Sequence, residues 1–491
     1  MRFVEREWVE PAVATLVGLF LRIALINHES VGHDEAFSIT VSRFPAREMM
    51  QALIRDFVHP PLHYIVLRGW FGLVGWGIFQ ARLLSVLLSV LAIPVLYVFG
   101  RLFFSRGTAL IASLFLAFSQ LSIMFSAEPR PYAQVLLLSL FSAYCFVVAL
   151  QTRLLGWWCG FVGAALATVY THYFGFLVIL ALLLFAFLYR RHYSIPWKWY
   201  AAGGFTILLV YAPWLVSGIV REAAHSGRTF SGVRSYWAVH WTTFFSTVNA
   251  FNNGKPAGLL NSAPPWTFLV GGLLFAAPMC VGLLKMWNRR NSGNSSNAEG
   301  VVMALLLFLA PVMAAIGLGI LHVQYNVRYV SFAAAPYYLL VAQGFSELRP
   351  GRFRSVVVAV ALLYSAYSLR ANFLMRWKED FKGAYELVSA KKRSGDCQVF
   401  LPYFFVPAEW TVTLAGDPSL PSLTQSSLAQ GAKQCERIWA ISFAPGENTG
   451  WETRSQALRE EFSQRHTRLL GARFFGVQVD LYAPATQASS F

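Results

Sequence analysis

Five short stretches of the chain contain side chains that could transfer a proton or bind an anion. They are residues 32–38 (GHDEAFS), 59–64 (HPPLHY), 126–133 (SAEPRPYA), 170–173 (YTHY) and 324–329 (QYNVRY). A carboxylate can act as a general base, and arginine or histidine can hold an anion. Together these groups suit the displacement of a phosphate, because a carboxylate activates the nucleophile while cationic groups stabilise the departing phosphate.

Each of these residues also has an ordinary structural explanation when it is taken alone. Asp34 and Glu35 could lie in a solvated loop, and His172 could be a hydrogen-bonded residue at a helix end. Arg328 could extend its charged end towards a membrane surface. A shared site is favoured because ionisable residues at membrane depth are costly and tend to mark function.

The composition explains why a membrane enters the argument. Hydrophobic residues make up 56% of the 491 residues and charged residues only 13%, whereas about a quarter of a soluble chain is charged. This excludes an ordinary soluble enzyme, a disordered chain and a fibrous chain. The formal charge of +16 is also typical of nucleic-acid binding. Here the basic residues lie between apolar runs, so we attribute them to membrane topology and expect no nucleic-acid partner.

The apolar runs predict a polytopic α-helical membrane protein with about eleven transmembrane helices. A helix that crosses the hydrocarbon region needs about 20 mostly apolar residues. Runs of this kind lie near residues 11–27, 81–100, 107–125, 132–150, 155–171, 173–189, 201–220, 264–284, 301–321, 329–347 and 355–371.

A further apolar stretch, residues 61–79, is predicted to be an amphipathic helix at the outer membrane interface. Lysine and arginine collect in cytoplasmic loops. If residues 61–79 do not cross, every short basic loop falls on one side, for example the loops with Arg101 and with Arg190. This topology predicts a cytoplasmic N-terminus and an external first loop, residues 28–80. It also puts all five polar stretches outside.

Two domains are expected, a transmembrane domain of residues 1–372 and an external α/β domain of residues 373–491. The tail contains Cys397 and Cys435, and the other three cysteines lie in apolar runs. Because this topology puts the tail in an oxidising space, we predict a disulfide between the two, worth roughly 3–4 kcal/mol. The alternative is two buried free thiols. Strand-like runs of the tail lie at residues 398–405, 437–443 and 474–482, and a helical pattern lies at 452–465.

The order of the motifs resembles that of the membrane glycosyltransferases of the GT-C superfamily. The acidic pair at 34–35 is followed by HPPLHY at 59–64, ARLLSVL at 81–87, FSRGTALIA at 104–112 and SAEPRPYA at 126–133. The most similar group is the bacterial family 39/83-like proteins, which are similar to protein O-mannosyltransferases and lipid A aminoarabinose transferases. The resemblance is strong over about residues 28–150 and weaker beyond.

The resemblance implies transfer of a sugar from a polyprenyl-phosphate donor to an envelope lipid, glycan or protein. This would take place at the outer face of the bacterial plasma membrane. It implies that Asp34 is the catalytic base and that Glu35 and Glu128 are further catalytic residues. Whether a divalent metal ion bridges Asp34 and Glu128 stays open. Some relatives have an acidic residue and a lysine before the proline segment, where this chain has Val58 and His59.

The sequence therefore favours an inverting glycosyltransferase in which Asp34 deprotonates an acceptor hydroxyl while His59, Arg130 and Arg328 neutralise the leaving phosphate. The alternative is a transporter or flippase of lipid-linked saccharide, but transporters carry their polar groups at the bilayer midplane, often in inverted repeats. A membrane scaffold whose tail binds a partner would leave the external carboxylates unexplained. The other residues predicted to bind substrate are Tyr132, His172, Tyr173 and Tyr329.

Overall fold

In a computed structural model, the described part of the chain forms two compact units. The first comprises Met1–Ile26 and Val41–Phe373, and the second comprises Asn27–Thr40 and Leu374–Phe491. The division therefore differs from two contiguous domains, because residues 27–40 group with the tail. The structure describes residues 2–193, 197–224, 239–240, 242–254, 265–290, 296–321, 325–374, 378–401, 420–423, 435–444 and 451–484.

All the regular secondary structure that is described in the first unit is helical. In hydrocarbon, a helix satisfies its backbone polar groups within one segment. The helices of its first half are α1 (Arg2–Leu25), α2 (His33–Arg43, which begins in the second unit), α3 (Ala46–Asp56), α4 (Leu62–Val74), α5 (Ile78–Arg101), α6 (Arg106–Phe118), α7 (Gln120–Ser126), α8 (Pro131–Thr152) and α9 (Leu155–Thr171).

A π-helical segment (Gly272–Ala276) and a 3-10 helix (Val327–Ala333) interrupt the second half of this unit. The helices there are α10 (Gly175–Leu188), α11 (Arg190–Tyr193), α12 (Trp197–Ala224), α13 (Thr243–Asn253), α14 (Pro265–Gly271), α15 (Ala277–Arg290), α16 (Ser296–Ile320), α17 (Ala334–Ser346) and α18 (Arg352–Leu374).

Among the described residues, seven helices are long and apolar enough to cross a membrane, or eight if the bent pair of α6 and α7 is one span. The chain is thus a multi-pass membrane protein, as its composition predicts. The other three predicted spans fall on α9, α10 and the segment of the 3-10 helix and α17. The helices α9, α10 and α17 contain 17, 14 and 13 residues, fewer than the roughly 20 that cross without help. The count of eleven spans stays a prediction.

The centre of the first unit is built around α8 and α17. Helix α8 packs against α5 and α9, and α17 packs against α6 and α15. Residues 334–345 of α17 are all buried. Of residues 61–79, predicted to lie at the interface, Leu62–Val74 form α4, and Gly75 follows the helix with a φ of 79°.

The described strands of the second unit form one five-stranded sheet in the order β2-β1-β3-β5-β4. The strand β1 is parallel to β2 and β3, and β5 is antiparallel to β3 and β4. The predicted strand at 437–443 and the helical pattern at 452–465 are both found, and residues 402–405 lie outside the described chain. The elements are α19 (Phe381–Lys391), β1 (Asp396–Leu401), β2 (Ser422–Leu423), β3 (Arg437–Phe443), α20 (Trp451–Arg465), β4 (His466–Phe474) and β5 (Val477–Pro484).

A disulfide joins Cys397 in β1 to Cys435, which stands just before β3. The two Cα atoms are 5.7 Å apart, and both side chains are buried. Because β1 and β3 are parallel neighbours, with Cys397 opposite Ile438, the two cysteines are brought together by the strand register. The pair predicted from the sequence is thus bonded in the structure.

Candidate active site

The first unit contains a buried group of guanidinium and imidazole side chains from four separate stretches of the chain. We call His59, Arg130, His172 and Arg328 the basic cluster. His59 precedes α4, Arg130 caps the start of α8, His172 caps the end of α9, and Arg328 lies in the 3-10 helix. The first three side chains are buried, and Arg328 is half-buried. The fold thus brings together polar stretches that are far apart in sequence.

Arg130 connects the first part of the cluster. Its Nη2 donates a hydrogen bond to Nδ1 of His59 over 3.2 Å, and its Nη1 donates to the hydroxyl of Tyr64 over 3.5 Å. The ring of His59 lies 5.4 Å from that of His172, centroid to centroid, and the ring of Tyr132 lies 6.2 Å from that of His172. A guanidinium, two imidazoles and two phenols therefore share one small volume.

Arg328 contributes the second guanidinium. Its Cζ lies 5.3 Å from the ring centroid of Tyr329 and 6.0 Å from that of Tyr132. The side chain of Asn326 accepts a hydrogen bond from the main-chain N–H of Arg328 over 3.1 Å and so caps this helix. The ring of Tyr329 is 6.0 Å from His172. Arg328, Tyr132, His172 and Tyr329, all predicted to bind substrate, thus lie together.

The two imidazoles of the cluster are neutral. Burial, and then the charge of Arg130, hold the pKa of His59 well below its usual value of 6.5. Burial, and then the charges of Arg130 and Arg328, lower the pKa of His172 to about 3. The fixed positive charge of the cluster therefore belongs to the two arginines.

The hydrogen bonds define which nitrogen of each imidazole carries the proton. Nδ1 of His59 accepts from Arg130, and Nδ1 of His172 accepts from the main-chain N–H of Phe174 over 3.2 Å. In a neutral imidazole the other nitrogen then holds the proton. His59 and His172 can each donate one hydrogen bond from Nε2. Two cations and two neutral N–H donors make a group that is suited to binding a phosphate.

A buried chain of hydrogen bonds supports the cluster. Nδ1 of His63 lies 3.1 Å from Oε1 of Gln134, and Nε2 of Gln134 donates to Oγ1 of Thr171 over 3.0 Å. All three side chains are buried. They connect α4, α8 and α9, and His59, Arg130 and His172 lie just beyond the ends of these helices. The sequence reasoning noted the HPPLHY motif but missed Gln134, because a glutamine within an apolar run gives no local pattern.

An aromatic anchor holds the turn that carries His59. Phe57 has a left-handed φ of 51°, and its ring stacks on that of Trp214 with 5.0 Å between centroids. The Tyr173 hydroxyl donates to the main-chain oxygen of Phe57 over 3.1 Å and accepts from Nε1 of Trp214 over 3.2 Å. Tyr173, predicted to bind substrate, thus contacts the main chain of this turn. Phe57 and Trp214 were not predicted.

Glu128 lies in the same turn as Arg130, between α7 and α8. Its side chain is half-buried, and its main-chain oxygen accepts from the N–H of Arg130 over 2.8 Å. Pro131 then starts α8. Because the turn is short, the direction of α7 determines where the Glu128 carboxylate and the Arg130 guanidinium lie.

The predicted acidic pair lies in the second unit, in the first turn of α2. Carboxylates are stabilised at a helix N-terminus. Asp34 is half-buried, whereas only 1% of Glu35 is exposed. Glu35 forms an ion pair with Lys378 and accepts from the main-chain N–H of Gly32 over 3.1 Å. The two neighbouring carboxylates therefore have different surroundings, one ion-paired and buried and the other half-buried.

Lys378 was missed by the sequence reasoning as a partner of this pair. Its main-chain N–H also donates to Oε2 of Glu29 over 3.3 Å, and the Ser30 hydroxyl accepts from the N–H of Lys382 over 3.1 Å. These contacts explain why residues 27–40 group with the tail. In the part of the chain that the structure describes, no three His, Cys, Asp or Glu side chains are grouped to hold a metal ion. We therefore derive no step through a metal.

Comparison with known proteins gives one family match. Residues 58–216 match the family described as dolichyl-phosphate-mannose-protein mannosyltransferase. This segment contains all of the basic cluster except Arg328. No curated protein sequence shows a significant match to the chain.

Several solved structures have a similar fold. The ArnT structure from Cupriavidus metallidurans bound to undecaprenyl phosphate is 14% identical, with a TM-score of 0.58 over 96% of this chain and 98% of that one. The oligosaccharyltransferase of Archaeoglobus fulgidus is 12% identical, with a TM-score of 0.52 over 89% and 69%. The arabinofuranosyltransferase AftD from Mycobacteria is 13% identical, with a TM-score of 0.53 over 97% and 41%. The chain is thus a multi-pass membrane protein whose fold is similar to that of ArnT, and its residues 58–216 are similar to the dolichyl-phosphate-mannose-protein mannosyltransferase family.

Proposed function

We propose that the protein is an inverting glycosyltransferase that uses a polyprenyl-phosphate-linked sugar as donor. The observation that carries this proposal is the basic cluster, in which two guanidinium groups and two neutral imidazoles converge from four stretches of chain. The similar fold of ArnT, solved with undecaprenyl phosphate, supports a lipid phosphate as the anion. The family match supports a sugar as the group that is transferred.

The reaction that this proposal describes is a single displacement at the anomeric carbon. A bond forms between the acceptor oxygen and the anomeric carbon, and the bond from that carbon to the phosphate oxygen breaks. Arg130 and Arg328 balance the negative charge that develops on the departing phosphate, and Nε2 of His59 and of His172 donates a hydrogen bond to it. The cluster works mainly in the transition state, because the charge of the leaving group grows as the bond breaks.

The proton of the acceptor hydroxyl goes to Asp34, which we propose as the general base on the strength of the family resemblance. Its half-buried carboxylate suits this role better than that of Glu35, which is buried against Lys378. We assign Glu35 the role of positioning Asp34 rather than of taking the proton. Glu128 is the second acidic residue of the site and orients a reacting group.

The proposed location is the bacterial plasma membrane, with eleven spans, the N-terminus inside, and the site and tail on the external side. The acceptor is a lipid, a glycan or a protein of the cell envelope. Reporter fusions after residues 106 and 377 test the topology, since the first should report the cytoplasm and the second the exterior. A cytoplasmic tail would contradict both the topology and the location of the site.

The experiment that tests the function combines mass spectrometry of lipid-linked sugars with an assay of the purified protein. Loss of the gene should cause one polyprenyl-phosphate sugar to accumulate, and the purified protein should release polyprenyl phosphate from that donor when an acceptor is present. Movement of the intact lipid-linked sugar across vesicles without any release of polyprenyl phosphate would instead identify a flippase.

A further inference from the structure

A broken helix leads directly into the turn that carries Glu128 and Arg130. Helix α6 ends at Phe118, α7 begins at Gln120, and the two axes differ by 54°. Ser119 between them has a ψ of 111°, which is not helical. The carbonyl groups in the last turn of a helix have no partner within the helix. A break at membrane depth therefore needs another source of hydrogen bonds.

Arg22 of α1 supplies those hydrogen bonds. Its side chain is fully buried, and it belongs to the apolar span Trp8–Leu25. The guanidinium has five N–H groups, and each is matched by an acceptor. They donate, over 2.9–3.2 Å, to the main-chain oxygens of Gly18, Leu116 and Ala117 and to the hydroxyls of Ser89 and Ser122.

These acceptors lie on both sides of the break. The carbonyls of Leu116 and Ala117 belong to the last turn of α6, and the hydroxyl of Ser122 belongs to α7. Ser119 itself accepts from the N–H of Ser122 over 3.2 Å and from the Tyr338 hydroxyl over 3.0 Å. A buried guanidinium is costly within a membrane. Here its planar fork holds α6 and α7 at their angle.

We propose that Arg22 is a positioning residue for the basic cluster. By holding the break, it fixes the direction of α7, and this direction places Arg130 only four residues after the end of α7 at Ser126. The turn between them is continuous, because Glu128 donates from its N–H to the oxygen of Phe125 over 3.4 Å and Arg130 donates to that of Glu128. This inference rests on the proposed function for its kinetic part only.

Lysine cannot replace Arg22 in this role. An ammonium group is a compact point charge with three donors, whereas the guanidinium reaches α6 through Nη1 and both helices through Nη2. The Arg22→Lys variant keeps the charge and a buried stem of similar length, so it separates the geometry of the fork from the presence of a cation. Ser122→Ala is the gentler variant, because it removes a single acceptor on α7.

The test uses the full-length protein in detergent and two readouts. In Arg22→Lys, amide hydrogen exchange over residues 119–126 should be about tenfold faster, while exchange in the middle of α8 stays the same. The kcat of transfer should fall about tenfold with little change in the KM for the lipid-linked donor, as expected when a contact that strengthens in the transition state is weakened. Ser122→Ala should change the exchange rate and kcat in the same directions by about two- to fivefold. Arg82→Lys, another buried arginine, is the control that should leave residues 119–126 unchanged.

A double-mutant cycle separates positioning from general stability. If Arg22 acts through Arg130, adding Arg22→Lys to Arg130→Lys should lower kcat by much less than the product of the single effects predicts. Multiplicative effects, or normal exchange over residues 119–126 in both Arg22→Lys and Ser122→Ala, would overturn the proposal. The exchange readout needs no substrate, so a failure of the proposed glycosyl transfer is distinguished from a failure of this inference. If Arg22→Lys does not fold, Ser122→Ala and the cycle of Ser122→Ala with Arg130→Lys decide it.

Discussion

The ion pair of Glu35 and Lys378 predicts unequal effects when either partner is changed. The Glu35 side chain is 2% exposed, whereas that of Lys378 is 21% exposed. Replacing Lys378 by methionine leaves a buried carboxylate without its lysine, which should cost about 3–5 kcal/mol. Replacing Glu35 by glutamine leaves an ammonium group that reaches water, and the amide oxygen can still accept from Gly32. This change should cost only about 1 kcal/mol.

The assay is amide hydrogen exchange over residues 33–40 in the full-length protein, because exchange measures the free energy of local opening. Lys378→Met should speed exchange by at least about a hundredfold, and Glu35→Gln by about tenfold or less. The double variant should lie much closer to Glu35→Gln than to Lys378→Met, since it buries no charge. Lys391→Met, at an exposed lysine of α19, is the control. Equal effects of the two single variants, or a larger effect of Glu35→Gln, would refute this reasoning.

Three further predictions concern the proposed chemistry and the basic cluster. Asp34→Asn should lower turnover by about 10²- to 10⁴-fold because an amide cannot accept the proton. Glu48, an exposed carboxylate in the first turn of α3, gives the control Glu48→Gln, which should leave turnover unchanged. Near-normal turnover of purified Asp34→Asn would show that Asp34 is not the base. Arg328→Ala should lower kcat/KM about ten- to a hundredfold, with partial rescue by Arg328→Lys, whereas exposed Arg370→Ala should have no effect; full activity of Arg328→Ala would reduce that residue to a membrane anchor. The pKa of His172 is about 3 in the folded state and 6.5 ordinarily, so between these pH values the folded state binds fewer protons than the unfolded state. The contribution of His172 to stability is therefore complete above pH 6.5 and falls by about 2 kcal/mol at pH 5. His172→Asn should flatten the fall of the unfolding temperature from pH 8 to pH 5, and an unchanged slope would contradict the burial argument.

The convergence of the polar stretches could be anticipated because each stretch stands at the end of an apolar run. The shared role proposed for Arg130 and His59 on one phosphate predicted that the two side chains lie close together, and Nη2 of Arg130 lies 3.2 Å from Nδ1 of His59. The protonation state of the two imidazoles, in contrast, does not follow from the positions of the polar stretches in the sequence. His59 was expected to help neutralise a phosphate and His172 to bind substrate, but burial, which only the tertiary structure reveals, lowers the pKa of both imidazoles.

Other features leave no local signal in the sequence. Glu35 and Lys378 are 343 residues apart, so no periodicity or spacing connects them. A single arginine such as Arg22 does not interrupt an apolar run, and hydropathy counts residues 107–125 as one span even though the helix breaks at Ser119. Phe57 adopts a left-handed φ at the end of α3, where its ring packs on Trp214 and its main-chain oxygen accepts from Tyr173. Long-range pairs and helix breaks depend on tertiary contacts rather than on composition.

The grouping of residues 27–40 with the tail has a consequence for how the protein is made. A ribosome adds roughly 5–20 residues each second, so the 343 residues between Glu35 and Lys378 correspond to roughly 20–70 s of synthesis. During that time the segment that carries Asp34 has been delivered to the membrane, yet the lysine that neutralises its neighbour has not been translated. The proposed base therefore reaches its final surroundings only after nearly the whole membrane portion has been inserted. A nascent chain that stalls between Arg328 and Lys378 carries the entire basic cluster but lacks the ion pair of Glu35.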